Sequence, residues 1–328
     1  MNVSSPAAPA SGAPVLLILG SCTSLQFGAV LATTLFGELG SWGTTALRLG
    51  IAGILLLVIA RPALHRLDRT QWLSVLALGA VMGGMNGSFY AAIERIPLGT
   101  AVTLEFLGPL AVAALLSARR SDLLWVALAL AGVGLFGLES VTGAARLDPV
   151  GVVFALVAGV FWGLYVIASA RAGRLVPGQG GLAASIMIGA LVVLPLGSDG
   201  ALRGLLDPHL LLVAAGTAVL ASLLPYTLEL AALRRLPRHV FGILLSLEPV
   251  IAMLAGMILL SQGLSALRVL AAVLVVSASI GVTATARRAE TVPTRSTLTG
   301  EIPVVEPAAE EPREDRPSAH GEPAPLAP

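Results

Sequence analysis

The chain has 328 residues, of which 56% are hydrophobic and only 12% are charged, whereas about a quarter of residues are charged in a water-soluble domain. Its 20 basic and 19 acidic residues nearly cancel, which argues against a basic surface for binding nucleic acid. Every basic residue is arginine, so the chain lacks the phosphate-binding lysine of an ATPase. The composition indicates a membrane protein and argues against an ATP-driven pump housed in this chain.

Ten apolar segments, each 17 to 24 residues long, follow one another along the chain. They cover residues 15–36, 44–60, 72–93, 98–116, 123–139, 150–170, 181–197, 209–232, 240–260 and 267–286. A helix of about 20 residues crosses the hydrocarbon core of a bilayer, and a closed β-barrel is the alternative. Barrel strands alternate polar and apolar residues, which these segments do not. We therefore predict an all-α integral membrane protein with ten transmembrane helices.

The two ends of the chain differ in composition from its middle. Residues 1–14 lack the positive charge of a cleaved signal peptide, so we expect the first apolar segment to be retained. Residues 287–328 are rich in proline and glutamate, a composition typical of disorder. We predict a short N-terminal tail, two membrane-embedded units over residues 15–139 and 150–286, and a disordered C-terminal tail.

The distribution of arginine predicts the orientation of the chain, because arginine in short loops is concentrated on the cytoplasmic side. With the N-terminus inside, twelve arginines lie in or beside cytoplasmic loops and four lie on the opposite side. The twelve are Arg61, Arg66, Arg69, Arg119, Arg120, Arg171, Arg174, Arg234, Arg235, Arg238, Arg287 and Arg288, and the four are Arg95, Arg146, Arg203 and Arg268. This asymmetry predicts that both termini are cytoplasmic.

The two halves of the chain resemble each other at an offset of 140 residues. Ile96-Pro97 corresponds to Leu236-Pro237, and Gly108-Pro109 corresponds to Glu248-Pro249. Each half has five apolar segments, and because five is odd, the second half must cross the membrane in the opposite orientation. Two inverted five-helix repeats with a binding site near the bilayer midplane are typical of secondary transporters.

Few ionisable side chains fall inside the apolar segments, and such groups are candidates for function because their burial in lipid is costly. Glu105 in the fourth segment and Glu248 in the ninth both lie near a proline in mid-helix, Pro109 or Pro249. A proline kinks a helix and frees a backbone carbonyl near the carboxyl group. Each carboxyl group therefore has either a functional role or a structural one, as a neutral acid hydrogen-bonded to that carbonyl.

Other polar side chains occur within the second, third and eighth segments. Arg48 lies near the start of the second segment, where its guanidinium reaches either the membrane interface or a substrate carboxylate. Asn86 and Tyr90 are four residues apart, so they share one face of the third helix. Tyr226 of the eighth segment corresponds to Asn86 in the repeat, and we include all four residues in the candidate site.

The remaining candidates are aromatic residues and charges at the ends of segments. Trp162 and Tyr165 lie in the middle of the sixth segment, where packing competes with ligand contact as their role. Glu139, Glu229 and Arg268 lie at or near the ends of segments, so we expect them at the membrane interface.

The sequence contains no arrangement of residues that is typical of an enzyme or a metal site. We find no nucleophile elbow, paired catalytic carboxylates, phosphate-binding glycine loop or zinc motif. The four histidines are far apart, and the single cysteine, Cys22, cannot form an internal disulfide. We therefore expect no enzymatic activity, no cofactor and no metal.

Several short motifs in both halves resemble one family of membrane proteins. They are Thr45-Ala46-Leu47-Arg48-Leu49, Gly83-Gly84-Met85-Asn86, Leu104-Glu105-Phe106, Gly108-Pro109-Leu110-Ala111-Val112, Leu224-Pro225-Tyr226, Leu228-Glu229 and Ser246-Leu247-Glu248-Pro249. Through them residues 15–286 resemble the threonine/homoserine exporters, of the EamA-type branch of the drug/metabolite transporter superfamily. The resemblance implies two inverted five-helix EamA-like repeats in the inner membrane. It also implies efflux of threonine, homoserine or related small amino acids in exchange for protons.

Three functions remain compatible with the sequence. An amino-acid exporter would bind the substrate carboxylate with Arg48 or a helix N-terminus, and its ammonium with Glu105 or Glu248. The same fold could export drugs or lipophilic cations, with cation–π contacts to Trp162 and Tyr165. A non-transporting scaffold or an enzyme is the third. The missing catalytic groups disfavour an enzyme, and a scaffold would not need carboxyl groups near the midplane. We expect a small-molecule substrate, protons and lipid as partners, and no nucleic acid.

Overall fold

The structure is a computed structural model that describes residues 13–116, 122–142, 147–176, 178–233, 235–236 and 238–291. Helices joined by short loops make up this part of the chain, which contains no strand. The predictions for residues 1–12 and for residues 292–328 of the acidic tail lie outside the described residues.

Thirteen α-helices form the described part of the chain. They are α1 (Ala13–Thr33), α2 (Phe36–Ala60), α3 (Arg69–Ile93), α4 (Leu98–Glu105), α5 (Leu107–Leu116), α6 (Asp122–Thr142), α7 (Pro149–Leu175), α8 (Gly180–Leu206), α9 (Pro208–Ala218), α10 (Leu224–Leu233), α11 (Arg238–Leu245), α12 (Glu248–Leu259) and α13 (Ala266–Thr291). A π-helical stretch, Val219–Leu223, joins α9 to α10, and a single 3-10 turn, Leu64–Arg66, follows α2.

Each of the ten predicted segments falls on one helix or on consecutive helices. Among the described residues, seven helical stretches are long and apolar enough to cross a membrane. They are Ala13–Thr33, Phe36–Ala60, Arg69–Ile93, Pro149–Leu175, Gly180–Leu206, Pro208–Glu229 and Val240–Leu259. The other three segments fall on shorter apolar stretches, Leu98–Val112, Leu124–Leu135 and Ala266–Gly281. The total of ten crossings and the inverted relation of the halves stay predictions.

Several helices extend beyond the apolar segments that predicted them, among them the second, the eighth and the last. The second helix begins at Phe36 instead of residue 44, and it bends at Gly40, whose φ of 66° favours glycine. The eighth helix continues through Arg203 to Leu206, past the predicted end at residue 197. The last helix continues to Thr291, so the first residues of the predicted disordered tail are helical. Hydropathy finds only the apolar part of a helix, whereas backbone hydrogen bonding continues into polar residues.

Prolines account for the breaks in the fourth and ninth segments. Helix α4 ends at Glu105, four residues before Pro109, and α11 ends at Leu245, four residues before Pro249. A proline has no N–H to donate to the carbonyl four residues earlier, so the helix is interrupted at that point. The two breaks lie at corresponding positions of the repeat, and they place Glu105 and Glu248 on opposite sides of a break.

The arrangement of the helices buries small residues between them and leaves large apolar side chains outside. Helix α2 packs along α8, α3 packs along α7 and α8, and α6 packs along α13. On the outer surface Leu16, Leu212 and Ile258 are more than two-thirds exposed. Because water-soluble proteins avoid large exposed apolar patches, this surface fits contact with lipid.

Replacing Gly108 with alanine is expected to destabilise the fold. A Cβ atom at Gly108 would overlap the carbonyl oxygen of Gly159, where α5 crosses α7 backbone to backbone. Relieving this overlap requires the helices to separate, which typically costs about 1–3 kcal/mol. Thermal unfolding of the purified variant should occur at a lower temperature than in the wild type. Gly134→Ala is the matched control, since no atom lies within 4 Å of its added Cβ.

Candidate functional site

A cavity of about 550 Å³ lies between the helices. Its volume is within the range of about 300–1,000 Å³ that is typical of small-molecule sites. All eight residues that the sequence analysis selected for substrate binding or proton coupling line it: Arg48, Asn86, Tyr90, Glu105, Trp162, Tyr165, Tyr226 and Glu248. Pro109 also lines the cavity, whereas Pro249 is buried beside Glu248. The structure therefore brings the predicted residues of both halves to one place.

The guanidinium of Arg48 is held in the cavity by neighbours from two other parts of the chain. Its Nη1 donates to the Ala221 carbonyl oxygen at 3.1 Å and to Ser222 Oγ at 3.2 Å, and its Nη2 donates to Asn86 Oδ1. Asn86 is itself oriented, because its Nδ2 donates to the Met82 carbonyl oxygen at 2.8 Å. These bonds fix the guanidinium in the protein interior, where Arg48 lines the cavity.

The Ala221 carbonyl can accept from Arg48 because the helix around it is irregular. Residues 219–223 are π-helical, and Leu224 donates its N–H to the Val219 carbonyl oxygen, five residues earlier. Pro225 lacks the N–H that would otherwise bond to Ala221 in an α-helix. Single π-helical turns inside α-helices are frequent at functional sites, and here the turn supplies an acceptor for a buried cation.

Arg48 keeps binding capacity that its neighbours do not use. The residue is only 2% exposed, and its guanidinium carbon lies 4.6 Å from the centre of the Tyr90 ring. Its Nε has no hydrogen-bond partner among the described residues, and no described carboxylate lies within 4.0 Å of it. A buried cation without an acidic partner is costly, so the site favours an anionic group on a ligand.

The two predicted acids lie at the helix breaks and are nearly buried. Glu105 is the last residue of α4 and Glu248 is the first residue of α12. Gln26 Nε2 donates to Glu248 Oε1 over a long distance of 3.4 Å. Within the described part of the chain, the Glu105 carboxyl group forms no hydrogen bond, including none to the carbonyl that Pro109 leaves free. Both carboxyl groups therefore retain free oxygen atoms that face the cavity.

Aromatic side chains form the apolar wall of the cavity. Trp162 meets Phe106 edge to face, with ring centres 5.1 Å apart. Tyr165 and Tyr226 pack against a buried cluster that includes Leu49 and also line the cavity. Trp162 and Tyr165 thus both pack against other side chains and line the cavity, two roles that the sequence left as alternatives.

Gln26 and Glu229 line the cavity, although neither was selected from the sequence. Glu229 ends the apolar stretch Pro208–Glu229, as expected, and it accepts a hydrogen bond of 2.8 Å from Ser21 Oγ. It lies three residues after Tyr226, so helical spacing with a residue already selected could have revealed it. The Glu139 side chain lies outside the described residues. No group of three histidine, cysteine, aspartate or glutamate residues in the described part of the chain could hold a metal ion.

Comparison with known proteins gives matches over most of the chain. The EamA-like transporter family matches residues 12–141 and again residues 149–284. The chain is 40% identical to the Threonine/homoserine exporter RhtA of Salmonella typhimurium and 39% identical to that of Escherichia coli K12. Each match covers 84% of this chain and 92% of the relative. The Uncharacterized transporter YwfM of Bacillus subtilis is 26% identical, over 69% of this chain and 77% of its own length.

A solved crystal structure shares the fold at low sequence identity. The match covers 85% of this chain and 99% of that structure, with a TM-score of 0.55 and 21% identity. At that identity the likeness concerns the fold alone. The family match and the identity to curated transporters, together with the membrane-spanning helices, show that the chain belongs to the EamA-like transporter family, as a multi-pass membrane transporter and not an enzyme.

Proposed function

We propose that this transporter exports threonine, homoserine or similarly small amino acids across the inner membrane in exchange for protons. One observation carries the proposal: a buried guanidinium, with no carboxylate of the described residues within 4.0 Å, lines the same cavity of about 550 Å³ as several carboxyl groups. Relatives that are about 40% identical over 84% of the chain carry the name of threonine/homoserine exporters, which supports the choice of substrate.

The cavity offers a complementary group for each end of a zwitterion. Arg48 would bind the substrate carboxylate with its Nε–H and the one N–H of Nη2 that its neighbours do not use, since a guanidinium matches a carboxylate in shape and charge. An acidic side chain of the cavity would bind the ammonium group. The aromatic wall formed by Phe106, Trp162, Tyr165 and Tyr226 would enclose a short side chain.

Glu105 and Glu248 would couple transport to the proton gradient. The chain has no lysine for a nucleotide-binding loop, so an ion gradient is the energy source that fits its sequence. A carboxyl group that releases its proton when the substrate binds couples the movement of the substrate to the movement of protons. Both acids lie beside a proline break, where a helix bends at low cost. They are thus placed where a rocking motion of the two halves would change their access to either side.

A purely cationic substrate fits this cavity less well. The aromatic residues Trp162 and Tyr165 would attract a lipophilic cation, but the buried charge of Arg48 would repel it. Drug or dye export is therefore the alternative outcome of the substrate test.

The proposal includes ten crossings and cytoplasmic termini, which cysteine labelling checks. In a Cys22→Ala background, a membrane-impermeant thiol reagent added outside intact cells should label single cysteines introduced at Gly37 and His209. Cysteines at Ala63 and Gln179 should react only after the cells are opened. All four positions are exposed, so accessibility in the folded protein does not bias the comparison. The reverse pattern would contradict the predicted orientation.

The substrate proposal is tested by export from cells that lack their own threonine and homoserine exporters. Cells that express the chain should excrete threonine and homoserine faster and tolerate higher external homoserine. Toxic lipophilic cations and the remaining amino acids are assayed in parallel. Unchanged excretion at a verified membrane abundance of the protein contradicts the proposal, and selective tolerance to cations supports the alternative.

A further inference from the structure

The cavity contains a third acid, Glu229, that the proposed mechanism leaves without a role. Glu229 belongs to α10 and is partly exposed to the cavity. Ser21 of α1 is fully buried, and its hydroxyl donates to Glu229 Oε1 at 2.8 Å. The same Oγ lies 3.4 Å from the Pro225 carbonyl oxygen, which keeps Ser21 beside α10. The Glu229 carboxylate is therefore positioned by α1 and open to the cavity.

Glu229 lies on the same helix face as Ala221, whose carbonyl oxygen accepts a hydrogen bond from Arg48. Ala221, Pro225, Tyr226 and Glu229 all line the cavity, so one face of the π-helical stretch and α10 runs along it. Arg48 is bonded to Ala221 and Ser222 at the beginning of this face. Seven residues of helix, about 10 Å at 1.5 Å per residue, separate Ser222 from Glu229.

Arg48 and Glu229 therefore offer a cation and an anion to one cavity, as the two ends of an amino-acid zwitterion require. Tyr226 lies between Ser222 and Glu229 along the chain and also lines the cavity. This helix face thus carries the acceptor that holds Arg48, an aromatic residue and an acid.

The three acids differ in the hydrogen bonds that they accept. Glu229 accepts a short bond from a hydroxyl group, Glu248 accepts only the 3.4 Å bond from Gln26, and Glu105 accepts none from the described residues. A hydroxyl donor stabilises a carboxylate that remains charged while it binds a cation. An acid that carries a proton does not require such a donor.

We propose that Glu229, positioned by Ser21, binds the ammonium group of the substrate while Arg48 binds its carboxylate. This inference rests on the proposed function and deepens it, because it assigns the ammonium subsite to a residue other than the two proton-coupling acids. Glu105 and Glu248 then exchange protons without having to hold the substrate. The site selects molecules that carry both an ammonium and a carboxylate group, and it disfavours cations without a carboxylate.

Equilibrium binding to the purified full-length protein tests this assignment. The probes are radiolabelled threonine and 3-hydroxybutyrate, which is threonine with its ammonium group replaced by hydrogen and is measured by competition. Glu229→Gln should weaken threonine binding at least about tenfold, since it removes one partner of a buried charge pair. The affinity for 3-hydroxybutyrate should not fall, because this anion has no ammonium group for Glu229 to bind. Glu229→Asp, which keeps the charge, should restore part of the affinity for threonine.

Two control pairs separate binding from folding. Glu38→Gln makes the same chemical change at an exposed site, and it should leave binding unchanged. Ser21→Ala should weaken threonine binding, whereas Ser24→Ala should not, because the Ser24 hydroxyl donates to the Leu220 carbonyl oxygen and not to Glu229. Thermal unfolding of each variant identifies any loss of folded protein.

The outcomes distinguish this inference from the proposed function. Wild-type affinity for threonine in Glu229→Gln, or an equal loss for threonine and 3-hydroxybutyrate, overturns the role of Glu229 alone. If Glu229→Gln does not fold, Glu229→Asp is measured in its place. A fully folded Glu229→Asp that binds threonine with wild-type affinity also overturns the role of Glu229. If the wild-type chain neither exports nor binds threonine or homoserine, the proposed function fails and the inference fails with it.

Discussion

Replacement of Arg48 with lysine is expected to weaken threonine and homoserine binding by roughly a hundredfold, because loss of a buried, hydrogen-bonded charge contact typically costs several kcal/mol. Lysine keeps the positive charge but has one compact ammonium in place of a planar fork of donors. It cannot satisfy the Ala221 carbonyl, Ser222 and Asn86 and still present two N–H groups to a substrate carboxylate. Equilibrium binding of radiolabelled threonine to purified protein measures the effect.

Control variants distinguish a binding defect from misfolding. Arg171→Lys changes an exposed arginine of α7 in the same way and should leave affinity unchanged. Asn86→Ala removes one acceptor of the guanidinium, and it should weaken binding less than Arg48→Lys because the bonds to Ala221 and Ser222 remain. Full affinity in Arg48→Lys would show that the guanidinium does not bind the substrate.

Replacement of Glu105 or Glu248 with glutamine is expected to abolish transport driven by a pH gradient. Glutamine preserves size and hydrogen bonding but cannot take up or release a proton. Accumulation of threonine in proteoliposomes with an acidic interior should fall to the background of liposomes without protein. Exchange of labelled for unlabelled threonine in the absence of a gradient should continue, because it requires substrate binding and helix movement but no net proton transfer.

Continued exchange of labelled for unlabelled threonine would distinguish a coupling defect from a loss of folding or of substrate binding. A variant that loses both gradient-driven transport and exchange has lost its fold or its substrate site, not only its coupling. Glu38→Gln, on the exposed surface, should behave as the wild type in both assays. Wild-type accumulation by both Glu105→Gln and Glu248→Gln would show that these carboxyl groups have a structural role.

Much of the fold follows from local properties of the sequence. Each apolar segment falls on helix because only hydrogen bonds within a segment can satisfy its backbone in lipid. The helix breaks before Pro109 and Pro249 follow from the missing N–H of proline. Glu105, Glu248 and Arg48 stand out because charged residues are rare in apolar segments. All three line one cavity in the structure.

The remaining features depend on contacts between distant parts of the chain. Arg48 is anchored by Ala221, which is 173 residues away, and Ser21 holds Glu229 across 208 residues. No spacing rule within one helix reveals such pairs. The π-helical turn at residues 219–223 was not predicted, although Pro225 marks the place where an α-helical bond is lost. Glu229 was expected at the interface because it lies near the end of an apolar segment, and that position does not reveal that the residue also lines the cavity.

Uptake of radiolabelled threonine into proteoliposomes that contain only the purified chain is the most direct test of proton-coupled amino-acid transport. With an acidic interior, outward movement of protons should drive threonine inward until its internal concentration exceeds the external one. A proton ionophore should abolish this accumulation, and homoserine should compete for it. Threonine that merely equilibrates across the membrane, with or without the pH gradient, would contradict the account.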